Sequence, residues 1–196
     1  LDGCRIILQV GKDGSLRFFG RNKSVKTFLY DEKTDVLPFH AGIKLDTFRD
    51  SIFDGELIST NSCVSTDSTD INNSLSACSA ILNSEPEVAK EFQLKYGPFK
   101  FVIFDVLKFC GTETCSLSFK ARRIIREQIK KVMSLRSDIH PKLFDFVNYK
   151  DTDKKEFYEE LVREGGEGIM LKDLSAPYEL GKRRWSLLKV KRFNEY

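Results

Sequence analysis

The sequence contains no apolar stretch long enough to cross a bilayer. Its longest apolar runs are as short as Phe101-Val102-Ile103-Phe104, whereas a spanning helix needs about 20 such residues. The opening residues, LDGCRIILQVGKDG, carry a charge at position 2 and lack the long apolar core of a secretory leader. Neither GxxxxGK[ST] nor GxGxxG occurs, so P-loop and Rossmann nucleotide sites are unsupported. Histidine is scarce. His40 and His140 both lie away from any serine or cysteine motif, which argues against a catalytic triad. The five cysteines (Cys4, Cys63, Cys78, Cys110, Cys115) are odd in number and too scattered for a disulfide framework. Cys110 and Cys115 have no second pair and no nearby histidine to complete a zinc site. Reduced, mostly buried thiols and an intracellular compartment are the expectation.

The 196 residues suffice for one domain with a sizeable core, and a composition of 41% hydrophobic and 31% charged residues is that of a folded protein. A net charge of +3 permits a nucleotide or nucleic-acid partner without demanding one. No internal repeat, low-complexity tract or interdomain linker interrupts the chain.

CRIILQVGKDGSLRFFGR predicts two strands around a tight turn at Lys12-Asp13-Gly14, because Asp-Gly accepts the positive φ that such turns require. SIFDGELIS predicts a strand, and the Ser/Thr/Asn/Asp-rich stretch from Thr60 to Ser76 a loop. Helices are expected around Leu75–Leu82 and Glu87–Tyr96, the second entered through Pro86. FKFVIFDVLKF reads as a buried strand, Leu117–Leu135 as a helix and KLFDFVNY as a strand. Asp153–Arg163 reads as a helix with Phe157 and Leu161 on one face. Two more strands close the pattern, at Gly168–Lys172 and Ser186–Lys191. Irregular mixing of strands and helices indicates an α+β fold rather than a βαβ alternation.

Several of these strands carry charge where a purely structural strand would not. Asp54 and Glu56 are two apart and so share a face, as do Lys189 and Lys191. Regular alternation would put Phe104 and Asp105 on opposite faces, and likewise Glu167 and Lys172. Each feature alone fits an ordinary strand. Together, acids on three strands and a cation pair on a fourth suit a polyanion held with a divalent metal, carboxylates binding Mg²⁺ and lysines offsetting phosphate charge. The basic stretch KARRIIREQIKK, with Arg122, Arg123, Arg126, Lys130 and Lys131, reads as a solvated helix face.

The order of these segments resembles the nucleotidyltransferase (adenylation) domain of ATP-dependent DNA ligases, of the compact viral or phage type. This superfamily also includes RNA ligases and mRNA-capping guanylyltransferases. LDGCR at residues 1–5 matches the end of K-x-D-G-x-R through Asp2, Gly3 and Arg5, with the nucleophilic lysine expected immediately before Leu1. RFFGR (Arg17–Arg21) is similar to the arginine-bearing second motif. FDGEL is similar to the D-G-E motif, FVIFDVL to the aromatic-plus-Asp motif, EGIMLK to E-G-x-x-x-K, and LLKVK to the final K-x-K. YELGKRRWSLLKVK departs from the ligase form in carrying Arg184 where serine is common. NSLSACSAILNSEPEVAKEFQLKYG resembles the helical insert of the compact ligases.

The resemblance implies two mainly antiparallel sheets flanked by helices around a nucleotide cleft. Residues 1–196 would form one adenylation domain, lacking the residue before Leu1 and the C-terminal OB-fold domain that family members need. It implies a lysyl-AMP formed from ATP, transfer of AMP to the 5′-phosphate of a nick, and sealing by the 3′-hydroxyl, as used in DNA replication, repair and recombination. Carried over by position, Asp2 lies beside the nucleophile and near the metal, and Arg5 contacts ribose or nick phosphate. Arg21 holds the 5′-phosphate, Glu56 the ribose hydroxyl or metal, and Phe104 stacks on adenine. Glu167 binds Mg²⁺, while Lys172, Lys189 and Lys191 contact phosphates. Lys189 and Lys191 also keep the nucleophile neutral. Asp54 and Asp105 are supports. Lys182, Arg183 and Arg184 contact the backbone of nicked duplex DNA, the expected partner of a monomeric enzyme indifferent to base sequence. The alternatives are an RNA ligase, a capping guanylyltransferase (against which EGIMLK argues), or a non-catalytic nucleotide- or DNA-binding module.

Overall fold

The computed structural model describes residues 3–25, 27–60, 74–181 and 185–191. Most of the Thr60–Ser76 stretch read as a loop lies outside the described residues, as do Asp2, Lys182, Arg183, Arg184 and Cys63.

Alternation builds the main sheet. In β1 (Cys4–Val10), Ile6, Leu8 and Val10 are buried on one side, while Arg5, Ile7 and Gln9 face an open cleft on the other. The Asp13-Gly14 turn joins β1 to β2 (Leu16–Lys23), with Val10 opposite Leu16. There Leu16 and Phe18 enter the core, and Arg17, Phe19 and Arg21 line the cleft. β3 (Tyr30–Glu32) extends this edge, and β4 (Ser51–Ile58) lies antiparallel to β1 on the other side. β5 (Lys100–Phe109) pairs with β4, and its outer edge is shared by β6 (Thr112–Glu113) and the parallel strand β7 (Phe144–Phe146). The result is a seven-stranded sheet in the order β3-β2-β1-β4-β5-β6, with β7 also on β5. β8 (Gly168–Lys172) and β9 (Leu187–Lys191) form a separate antiparallel pair.

Short helix α1 (Pro38–Ala41), α2 (Ser74–Leu82) and α3 (Pro86–Tyr96) supply residues to the core on the apolar side. α4 (Phe119–Met133) is capped by the Ser118 side chain, which accepts from the Ala121 N–H at 3.2 Å, and it packs on β5. α5 (Lys154–Arg163) packs against β8. The architecture is thus α+β with antiparallel pairing dominant, as the sequence indicates.

The core also holds a titratable group. His40 is fully buried, edge-on to Phe18 and Phe144 at ring-centroid distances of 5.4 and 5.2 Å. Its Nε2–H donates to the Leu143 carbonyl at 3.2 Å, and Nδ1 has no partner among the described residues. Burial lowers its pKa from 6.5 to about 4, a shift only partly opposed by that hydrogen bond. The unfolded chain therefore binds a proton that the folded chain refuses. Stability is complete above pH 6.5 and declines as the pH falls towards 4, by roughly 3 kcal/mol at most. Urea unfolding at pH 7 and pH 4.5 should show that loss, and a His40→Leu variant should remove most of the difference between the two pH values.

Candidate active site

The cleft lies between the polar face of the seven-stranded sheet and the β8–β9 pair, and it holds most of the residues singled out from the sequence. Arg5, Arg21, Asp54, Glu56, Phe104, Asp105, Glu167, Lys172, Lys189 and Lys191 all line it.

Asp54 and Glu56 share its face, as their spacing predicts, although Gly55 between them points at the neighbouring strand. A Cβ at Gly55 would stand 2.5 Å from the Phe101 ring and 2.6 Å from the Val102 carbonyl, so only glycine lets β4 lie this close to β5. Asp54 is fully buried and ion-paired where it sits. Arg5 grips it with Nε and Nη2 at 2.9 and 2.6 Å, and the Tyr178 hydroxyl donates to Oδ2 at 2.6 Å. Tyr178 also accepts from Arg5 Nη2 at 2.5 Å, which closes a ring of three hydrogen bonds. Burial alone would lower the Arg5 pKa, but Asp54 outweighs it and leaves the guanidinium more firmly charged than usual. Burial and the Asp54 charge push the Tyr178 phenol upward. Glu56, directly opposite Arg5 in the β1–β4 ladder, has no hydrogen-bond or ion-pair partner among the described residues. Its carboxylate is available to a ligand.

Phe104 and Asp105 depart from the sequence expectation. Gly55 pairs with Ile103 and Asp54 with Asp105, so Phe104 is the extra residue of a β-bulge. The bulge cancels the alternation that would have sent the two side chains to opposite faces, and both line the cleft. Arg126 donates to the Phe104 carbonyl at 3.3 Å, satisfying an acceptor at the bulge. Asp105, 3% exposed, is held by Arg122 through Nε and Nη2 at 2.8 and 3.2 Å and by Lys172 Nζ at 3.3 Å. The Lys172 ammonium stands 5.4 Å from the Phe104 ring centroid. Burial lowers the Lys172 pKa, and the Asp105 charge opposes that fall.

Regularity fails again at Glu167. Gly168 has a φ of +144°, a conformation open to glycine, and a Cβ there would lie 2.0 Å from the Val190 carbonyl. Alternation therefore does not carry back from Lys172 to Glu167, and both face the cleft rather than opposite sides. Lys189 and Lys191 share a face as their spacing requires. Lys189 Nζ donates to Glu167 at 2.8 Å, and Lys191 Nζ donates to the other carboxylate oxygen. These two hydrogen bonds hold the Glu167 carboxyl down at about 2. Glu167 thus stands where an incoming phosphate would have to compete for both lysines.

The basic helix α4 is a correction to the sequence reading. Arg122 and Arg126 are not on a solvated face: they are 3% and 1% exposed and support Asp105 and Phe104 from behind. Arg123 pairs with the exposed Asp151 at 2.6 Å.

A family model for the ATP dependent DNA ligase domain matches residues 1–191. The chain belongs to the ATP-dependent DNA ligase domain family. A DNA ligase of Methanocella arvoryzae is 32% identical over 196 residues, covering 97% of this chain and 31% of that protein. A probable DNA ligase of Dictyoglomus thermophilum is 27% identical over 184 residues, covering 92% of this chain and 28% of the relative. The chain therefore spans about a third of the length of these curated relatives. Among solved structures, mycobacterial DNA ligase D complexed with ATP and MES superposes with a TM-score of 0.66 at 19% identity, over 98% of this chain and 52% of that one. A Chlorella virus DNA ligase-adenylate gives 0.55 at 15% identity, over 97% and 58% of the respective chains. These two establish the shared fold.

In this ligase-family domain, sequence reasoning named Tyr178 (the first residue of YELGKRRW), Arg122 and Arg126 but missed their roles as supports of the site. Tyr178 reaches Asp54 across 124 residues of chain, and no local pattern announces such a contact. Tyr178→Phe removes a hydrogen bond to a fully buried carboxylate. It should cost about 1–3 kcal/mol in a chemical denaturation measurement, against no change at the exposed Tyr149 in Tyr149→Phe. No helix among the described residues is long and apolar enough to cross a membrane.

Proposed function

We propose that this domain is the nucleotidyltransferase core of an ATP-dependent DNA ligase, acting as a monomer on nicked duplex DNA. The observation that carries the reading is the convergence on one cleft of Phe104, a Glu56 unpartnered among the described residues, a half-buried Lys172 and the Glu167–Lys189–Lys191 cluster, in a chain of this family. The nucleophile would be a lysine immediately before Leu1, at the entry to β1, with Asp2 beside it. Phe104 presents its ring to adenine, and the Lys172 ammonium beside that ring meets a phosphate. Arg5 and Arg21 serve the ribose and the 5′-phosphate of the nick, and Lys182, Arg183 and Arg184 the DNA backbone.

Among the described residues no group of three or more His, Cys, Asp or Glu side chains is placed to hold a metal ion. Mg²⁺ commonly binds through one or two carboxylates plus substrate phosphates. Glu56 and Glu167, both lining the cleft, would be the carboxylates that hold it, with Asp2 the third candidate. The ion would supply neutralisation of charge on the phosphoryl oxygens. The chain's own part is then to exchange partners. Lys189 and Lys191, now on Glu167, would be free to meet phosphate if Glu167 held the cation, and their charge would keep the attacking amine neutral. Residues 1–196 would act with a following OB-fold domain, in an intracellular compartment that holds DNA.

The test is sealing of a labelled nick by the full-length protein with ATP and Mg²⁺, using 3′ strands of DNA and of RNA in parallel. Sealing of the DNA nick supports the proposal. Sealing confined to the RNA strand would favour the RNA-ligase alternative, and binding without sealing the non-catalytic one.

A further inference from the structure

The tip of the β2–β3 hairpin exposes apolar side chains that the folded domain does not use. Val25 is 89% exposed, Phe28 76% and Leu29 69%, three large apolar groups within five residues. Backbone hydrogen bonds join the two sides of the tip. The Ser24 N–H donates to the Leu29 carbonyl at 2.8 Å, and the Phe28 N–H to the Ser24 carbonyl at 2.9 Å. Phe28 has a φ of +57°, a left-handed conformation that is an outlier for a bulky side chain and costs on the order of 1 kcal/mol. A turn that holds an aromatic ring in water at the expense of backbone strain points to a reason outside the domain's own packing.

The charges around the tip indicate what covers it. From Arg17 to Lys33 the sequence has five cations (Arg17, Arg21, Lys23, Lys26, Lys33) and two acids (Asp31, Glu32). Among the described residues, Arg17 pairs with Glu32 and Lys33 with Asp31, while Arg21 and Lys23 have no acidic partner. Two exposed cations with no acidic partner among the described residues thus lead into the apolar tip along one strand, the Lys23 ammonium lying 5.3 Å from the Tyr30 ring centroid. Leu29 and Tyr30 on its far side line the cleft together with Arg21 and Asn22, so the surface is continuous with the candidate active site. A second copy of the chain would bring like charges together at this tip. A polyanion with apolar interior edges suits it instead, because duplex DNA offers phosphates to Arg21 and Lys23 and sugar and base edges to Val25 and Phe28.

We infer that the β2–β3 hairpin tip is a docking element for the duplex beside the nick, with Val25 and Phe28 packing into the minor groove and Lys23 on the flanking phosphate. It rests on the reading of the cleft as a DNA-ligase site. Apolar contact with sugars is compatible with indifference to sequence.

The experiment compares the full-length protein with a Val25→Ser/Phe28→Ser double variant and with Lys23→Gln, measuring nicked-duplex affinity by fluorescence anisotropy over a salt series. All three substitutions are at exposed positions, and adenylation from ATP serves as the control that the domain is intact. The double variant should bind about tenfold more weakly with an unchanged salt slope, since no ion is displaced by an apolar contact. Lys23→Gln should reduce that slope by about one. Wild-type affinity in the double variant would overturn the inference while leaving the ligase reading intact. So would unchanged DNA affinity accompanied by a change in oligomeric state or in the docking of another domain, which would assign the tip to a protein partner. A wild-type protein that accepts AMP but binds no nicked duplex overturns it as well. Failure of the wild type both to accept AMP and to bind DNA would defeat the ligase reading itself.

Discussion

Replacing Glu167 by alanine should lower nick sealing by at least about a hundredfold, on the scale observed when one preorganised electrostatic group is removed from an active site, while leaving the fold intact. Glu167 binds Lys189 and Lys191 at once, and its carboxyl titrates near 2 because of them. All three side chains are partly exposed, at 39%, 46% and 49%. Exposed ion pairs contribute about 0–1 kcal/mol, so urea unfolding should barely distinguish the variant from wild type. The functional loss has a separate cause. On the proposed reading, the metal would lose a ligand on this chain, and Lys189 and Lys191 would lose the carboxylate that both now bind. Glu167→Gln should be as inactive as Glu167→Ala, because the amide keeps the size and loses the charge. A sealing rate within a fewfold of wild type in either variant would remove Glu167 from the reaction.

The second large effect is on stability and lies behind the cleft. Arg122→Ala should destabilise the domain by about 3–5 kcal/mol, the cost of breaking a buried pair by removing one partner. Arg122 and Asp105 are each 3% exposed, and the guanidinium grips both carboxylate oxygens. Lys172 would remain beside Asp105, but at 3.3 Å and with its charge already disfavoured by burial it cannot replace a bidentate partner. Arg123→Ala, one residue along, is the internal control. Its partner Asp151 is 53% exposed, so the loss should be within about 1 kcal/mol. Comparable midpoints for the two variants in urea would show that Arg122 is not the support described above. Because Asp105 adjoins the Phe104 bulge, Arg122→Ala should also raise the KM for ATP at temperatures where the domain remains folded.

The contrast between Arg122 and Arg123 shows where the sequence was legible. The Asp13-Gly14 turn, the alternating residues of β1 and β2 and the shared face of Asp54 and Glu56 follow from local periodicity, and the structure has them all. Helix α4 was visible too, but its surroundings were not. Whether an arginine faces water or a buried aspartate depends on what lies across the sheet, and KARRIIREQIKK is consistent with either. The bulge at Phe104 is a property of the β4–β5 pairing and leaves no mark on β5 alone. The break at Gly168 is similar, since a glycine beside Glu167 reads equally as a strand start or as a turn. Motif order indicated which residues belong to the site, and long-range contacts determined how they face it. The Arg5–Asp54–Tyr178 ring joins residues separated by 49 and 124 positions.

The central claim is that the cleft delivers an adenylyl group to a lysine just before Leu1, and the intact mass of the full-length protein tests it most directly. After incubation with ATP and Mg²⁺ and removal of free nucleotide, the account predicts a gain of one AMP. Peptide mapping should locate it on that lysine, and the gain should vanish in Lys189→Ala and on adding excess pyrophosphate. An unchanged mass in the wild-type protein, or an adduct on any other residue, would contradict it.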